Sequence, residues 1–236
     1  ADDVARYRDG RRNPAAKAHR YMVSFMRTGM IEQDSGSGRY LLGSYALDVG
    51  LSALGRLDPV RLAGHILENL CEEIQETVAL AVWGNRGATI VRIVDSGAPI
   101  TIMLRAGTVL PLCKSATGQA FAAFFRAPFL RQMLDEELRE ISQAGKISIT
   151  TARRQLEKSL TEVRRHGISR ASGSLTPGIN GFSAPVFDHS GMMVAAITSL
   201  GTGGEFSVEW DSPVAKAMLA AAGNLSRKLG FNRPER

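Results

Sequence analysis

NPAAKAHRYMVSFMRTGMIEQDSGSGRYLLG, residues 13–43, opens with an asparagine suited to cap a helix and a proline suited to its first turn. Ala18, Tyr21, Met22, Phe25 and Met26 then recur at the i, i+3, i+4, i+7, i+8 spacing of one buried helix face, which leaves Ala15, Ala16, Lys17, His19 and Arg20 outside or flanking it. Gly29 suits the position just past a helix end. The stretch continues as Met30–Gln33, a polar tip at residues 34–38, and Arg39–Leu42, which reads as a β-hairpin with a flexible loop. Upstream, residues 2–8 read as a short helix broken by Asp9-Gly10-Arg11-Arg12. The order is helix, tight turn, helix, hairpin.

That order is the plan of a winged helix-turn-helix, and the charge agrees with a polyanionic partner. The chain carries a net +6, and residues 1–30 hold seven arginines and lysines against three aspartates, so +4 of that surplus is N-terminal. The 236 residues, 44% of them hydrophobic, suffice for two folded domains at roughly 100–200 residues each. No apolar run nears the roughly 18 residues of a membrane span, and the first residues have no apolar signal core, so no membrane partner and a cytoplasmic location are expected. Two cysteines, Cys71 and Cys113, make no disulfide framework. The four histidines lie at no metal-ligand spacing, and neither metal nor cofactor is expected.

Outward from the hairpin, residues 44–56, with Leu47, Leu51 and Leu54 on one face, predict a connecting helix. Asp58-Pro59 breaks it ahead of a helix directing Ala63, Ile66, Leu67, Leu70 and Ile74 inward. The expected organisation is a winged helix-turn-helix at 1–43, a linker helix at 44–58 and a larger domain at 59–236. In the last, Thr77–Trp83 and Ala88–Asp95 read as strands about a Gly84–Gly87 turn, and Ile100–Leu104 as a third. Helices fill about 117–165, with starts marked by Pro128 and Thr150 and a stop at Gly167. Strands follow at 181–187 and 192–200, and Asp211-Ser212-Pro213 opens a final helix. Strands interrupted by helices without βαβ alternation predict an α/β (α+β) domain on a mainly antiparallel sheet.

The pieces resemble a known family. Asn13–Arg20, Gly29–Glu32 and Gly38–Gly43 look like the recognition helix and wing of IclR-type transcription regulators. Leu110-Pro111-Leu112-Cys113-Lys114-Ser115-Ala116-Thr117-Gly118-Gln119-Ala120 resembles their effector-domain turn, and Gly181–Asp188 with Ala195–Ile197 their late hairpin. Order and spacing agree from about residue 1 to 230. The resemblance implies a winged helix that binds double-stranded operator DNA, a linker helix used for dimerisation, and a GAF-like or profilin-like domain that binds a small organic effector. It implies a homo-dimer or tetramer and no enzyme, and it suggests that further N-terminal residues, including the helix that usually precedes the helix-turn-helix, belong to the full protein. Where the family often has Ser-Thr in the recognition helix, this chain has Ala16-Lys17.

In that frame Lys17, His19 and Arg20 are placed for base or phosphate contact, Arg39 at the wing base for phosphate or minor groove, and Arg11, Arg12, Asn13, Ala15 and Ala16 complete the DNA-facing set. The resemblance puts effector contacts on Ser115, Ala116, Thr117 and Gly118, on Ala171 and Gly181, and on Thr198 to Leu200. The acid and cysteine of organic-acid-binding relatives are missing from 171–181, and Met103, Phe121, Phe182 and Leu200 are expected to line a roomier, apolar pocket for an aromatic or largely apolar effector. Two rival readings are weighed: a thiol enzyme at Cys113, for which no His or acid is tied by any signature, and a GAF-like sensor acting through a protein partner.

Overall fold

A computed structural model describes residues 14–97 and 104–232, the side chains of 14–17 excepted. The predicted helix at 2–8, the turn at 9–12, the Asn13 cap and all of the Ile100–Leu104 strand except Leu104 lie outside the described residues, and Leu104 is in no strand. Two compact units divide between Leu57 and Asp58.

The first unit contains α1 (Pro14–Arg27), the hairpin strands β1 (Ile31–Gln33) and β2 (Tyr40–Leu42), and α2 (Ser44–Leu54). α1 is described from Pro14, a residue suited to a helix's first turn, and closes with the Met30 N–H on the Phe25 carbonyl at 2.9 Å. Of its apolar stripe, Met22 and Met26 are half-buried while Tyr21 and Phe25 are 55% and 45% exposed, so that face is only partly covered among the described residues. The hairpin pairs Ile31 with Leu42 and Gln33 with Tyr40. Hydrogen bonds close its tip. The Asp34 carboxylate accepts the Ser37 N–H at 2.8 Å and its hydroxyl at 2.5 Å, and the Gln33 amide donates to the Gly38 carbonyl at 3.0 Å. The Ser37 hydroxyl bond, reinforced by the backbone bond, holds the Asp34 carboxyl below the usual carboxylate range.

The second unit begins where Asp58 caps α3 (Pro59–Leu62), its carboxylate accepting the Val60 N–H at 2.8 Å. Then come α4 (Gly64–Ile74), β3 (Thr77–Gly84), β4 (Gly87–Val94), β5 (Val109–Leu110), α5 (Ala116–Phe124), α6 (Leu130–Gly145), α7 (Ile149–His166), β6 (Ser169–Ser172), β7 (Ile179–Phe187), β8 (Met193–Thr202) and α8 (Pro213–Lys228). The strands form one antiparallel sheet in the order β5-β4-β3-β8-β7-β6. Helix α7 starts at Ile149 because Ser148, not Thr150, caps it by accepting the Thr151 N–H at 3.1 Å. β5 and β6 are absent from the sequence reading: one is two residues long, and Ser-Arg-Ala-Ser carries no apolar alternation.

Helices cover both faces of the sheet. α4 and α8 pack on one, α5 on the other with α6 and α7 outside it. On the α5 side Ala79, Ala81, Ala196, Thr198, Ser183 and Gly181 occupy successive inward positions of β3, β8 and β7. Such small side chains let a helix lie close to the strands, and the Thr117 hydroxyl of α5 sits 2.8 Å from that of Thr198. Beside this strip Trp83, Phe121 and Phe125 pack ring against ring at 4.7–5.8 Å and anchor an apolar core with Ile90, Leu112 and Leu130.

Candidate effector cavity and DNA-facing unit

A cavity of about 430 Å³ opens between the start of α5 and the β6–β7–β8 end of the sheet. Three pieces of chain build it. The first is the turn before α5, where Ser115 caps the helix: its Oγ accepts the Gly118 N–H at 2.8 Å and donates to the Pro111 carbonyl at 2.7 Å. Gly118 is required here by close approach, since a Cβ would stand 2.0 Å from the Pro111 carbonyl oxygen and 2.5 Å from the Leu112 Cα. The amides of Ala116 and Thr117, first in the helix, have no intrahelical acceptor and give this end of the cavity a positive polarity.

The second piece is the sheet wall of Ala171, Gly181, Thr198 and Leu200. Gly181 lies directly opposite Leu200, and a Cβ on it would come within 2.6 Å of Leu200 Cδ2 and 2.9 Å of the Ser199 carbonyl, so its bareness makes room for the leucine beside the cavity. Thr117, Thr198 and Ser183 form a buried hydroxyl chain with steps of 2.8 and 2.9 Å. Ser169 extends this polar seam, its one hydroxyl proton shared between the carbonyls of Ala116 at 2.5 Å and Ser183 at 3.0 Å. The third piece is the loop 173–178, which contributes Leu175, Thr176 and Pro177. It is pinned by the Ser174 hydroxyl on the Lys114 carbonyl at 2.8 Å and by the Gly203 N–H on the Gly178 carbonyl at 2.8 Å. Among the described residues lining the cavity none is charged.

The structure therefore brings Ser115, Ala116, Thr117, Ala171, Gly181, Thr198 and Leu200 together around one space. It does not bring Gly118, Phe121 or Phe182 there. Gly118 N–H is spent on the cap, and Phe121 is fully buried in the Trp83 core. Phe182 follows Gly181 on a strand, faces the other side of the sheet, and packs on Phe206 at 5.7 Å. Met103 lies outside the described residues. Sequence reasoning missed Leu104, Thr108, Leu110, Ile179, Asn180 and the 175–177 loop. The Thr176-Pro177-Gly178 turn signal was the available cue for the last.

Cys113 has no catalytic setting. The Glu137 carboxylate accepts the Leu112 and Cys113 N–H groups at 2.8 and 2.9 Å. Burial, with the Glu137 charge beside it, pushes the thiol up to about 12, so it stays protonated at neutral pH. Among the described residues no group of three His, Cys, Asp or Glu is arranged for a metal ion, and no helix is long and apolar enough to cross a membrane.

On the first unit, His19, Arg20 and Arg39 are exposed. The backbone of Ala15, Ala16 and Lys17 lies in the first turn of α1, with side chains outside the description, while Arg11, Arg12 and Asn13 are outside it entirely.

A basic helix and hairpin followed by an α/β unit with an uncharged described cavity lining fit the plan of a helix-turn-helix transcription regulator with a separate C-terminal domain. The comparisons agree. The bacterial transcriptional regulator IclR C-terminal family matches residues 51–227, three quarters of the chain, and the protein belongs to that family. The crystal structure of Pseudomonas aeruginosa HmgR is similar at a TM-score of 0.83 and 36% identity, covering 93% of this chain and 86% of that one. The HTH-type transcriptional regulator KipR of Bacillus subtilis is 24% identical over 218 residues, 92% of this chain and 86% of its own. The transcriptional repressor IclR of Escherichia coli is 27% identical over 191 residues, 80% of this chain and 68% of its own. The chain is thus a transcriptional regulator and not an enzyme.

Proposed function

We propose that the first unit binds double-stranded operator DNA and that a small, largely apolar organic molecule seated in the 430 Å³ cavity changes that binding. The cavity carries the reading. Its size falls in the roughly 300–1,000 Å³ range of small-molecule sites, and apolar walls converge on one polar end. There the Thr117 hydroxyl and the first-turn amides of α5 suit a single carboxylate or other acceptor group. The absence of charged side chains among its described walls disfavours small, highly charged metabolites and favours an aromatic or branched aliphatic body.

On the DNA side, α1 serves as recognition helix, with Lys17, His19 and Arg20 reaching bases or phosphates and Arg39 at the wing contacting the backbone. α2 supplies the interface of a homo-dimer. It has no buried residue, while Tyr45, Leu47, Val49 and Leu51 are 43–63% exposed, an apolar surface that calls for a partner. Two copies then present two recognition helices to a partly palindromic site.

The test is a thermal-shift screen of the whole chain against aryl and branched aliphatic acids, beside Ala171→Phe, which fills the cavity from β6. A true effector at 100 times its Kd stabilises the native state by about 2.7 kcal/mol, a rise of roughly 5–11 °C for a unit of this size. The variant should melt normally and lose the rise. A ligand that stabilises both proteins equally would place binding elsewhere.

A further inference from the structure

A second concave site shares no lining residue with the effector cavity. It is a trough of about 810 Å³ where the C-terminal ends of α7 and α8 meet the end of β7. Its aromatic surface is Phe124, Phe187 and Phe231, with neighbouring rings 5.8 and 5.3 Å apart. Arg164 and Arg165 reach it from the last turn of α7, and Arg227 from the last turn of α8. No aspartate or glutamate lines it among the described residues. Arg164 is partly committed, to the Ala123 carbonyl at 3.3 Å and Glu157 at 4.0 Å. Arg165 and Arg227 form no ion pair with any described residue, and both are exposed. Basic residues at a helix C-terminus offset its dipole, which accounts for each arginine singly. It does not account for two helix ends converging on one aromatic trough with no acid lining it among the described residues.

We propose that this trough binds an amphipathic anion: an aromatic or acyl body laid on the phenylalanines, with a phosphate or carboxylate held by Arg165 and Arg227. Guanidinium groups grip such oxygens in pairs, and the aromatic surface gains from covering the body. The site stands independently of the effector reading, since its walls belong to α5, α7, β7 and α8 beyond the first cavity.

Naphthyl phosphate is the probe, titrated into the full chain by calorimetry. The expected result is one saturable site per chain, with inorganic phosphate and naphthol each at least roughly tenfold weaker because each offers only half of the ligand. The double variant Arg165→Gln, Arg227→Gln should lose roughly tenfold or more in affinity. Gly223→Glu should do the same, since a Cβ at that position lies 3.5 Å from Arg227 Nη1 and the new carboxylate would neutralise it while both arginines remain. Ala171→Phe should leave binding unchanged. The proposal is overturned if neither arginine-side variant weakens binding, if Ala171→Phe abolishes it and so assigns the probe to the effector cavity, or if inorganic phosphate binds equally well. It is also overturned if duplex DNA displaces the probe in wild type with the same sensitivity to Gln substitution, which would make the patch a nucleic-acid surface.

Discussion

Gly118 shows how much a single residue decides at the mouth of the cavity. Its missing side chain lets the turn 111–115 fold over the first turn of α5, and its N–H completes the Ser115 cap. Gly118→Ala forces two backbone atoms of that turn apart and should cost about 3 kcal/mol, the upper end of ordinary overpacking, because backbone and not a flexible side chain must yield. Urea unfolding monitored by circular dichroism would read this, and a loss below 1 kcal/mol would mean the turn adapts freely. The motif around Ser115–Gly118 was legible in the sequence, but the role of Gly118 was not: a glycine that admits ligand and a glycine that admits backbone look alike in one dimension. Gly181 and Phe182 teach the same lesson. Neighbours on a strand face opposite sides, so the period-two rule applied strictly admits only one of them to the cavity.

Among the elements, the strongly periodic ones were readable: α1, α4, α8 and the β3–β4 and β7–β8 hairpins carry their signals in apolar spacing and turn residues. β5 and β6 were not, because their existence depends on β4 and β7 offering an edge and not on their own composition. The 173–178 loop, which contributes Leu175, Thr176 and Pro177 to the cavity wall, has no periodicity to read and is held by side-chain and backbone bonds to distant segments. α2 was readable as a helix, and its unburied apolar surface is what makes it interesting. Leu47 and Leu51 lie one turn apart on one stripe, and burying a leucine is worth about 1.5–3 kcal/mol. Leu47→Lys with Leu51→Lys should make the proposed α2-mediated dimer sediment as a monomer at micromolar concentration, with a helical spectrum retained. An unchanged sedimentation coefficient would remove α2 from the interface.

At the scale of the molecule, the unit proposed to bind DNA and the cavity proposed to take an apolar ligand belong to one chain, and +4 of its net +6 lies in residues 1–30. An effector acts only through a difference in affinity between the DNA-competent and DNA-incompetent states. The direct measurement is fluorescence anisotropy of the full chain on a duplex enriched by the protein from a random pool, across a salt series, with and without a ligand found by thermal shift. Log affinity should fall linearly with log salt at about 0.9 per phosphate contacted. Saturating ligand should change affinity at least roughly fivefold, the lower end of ordinary coupling, and Ala171→Phe should bind the duplex normally yet ignore the ligand. Equal affinity with and without a ligand that demonstrably fills the cavity would contradict this coupling.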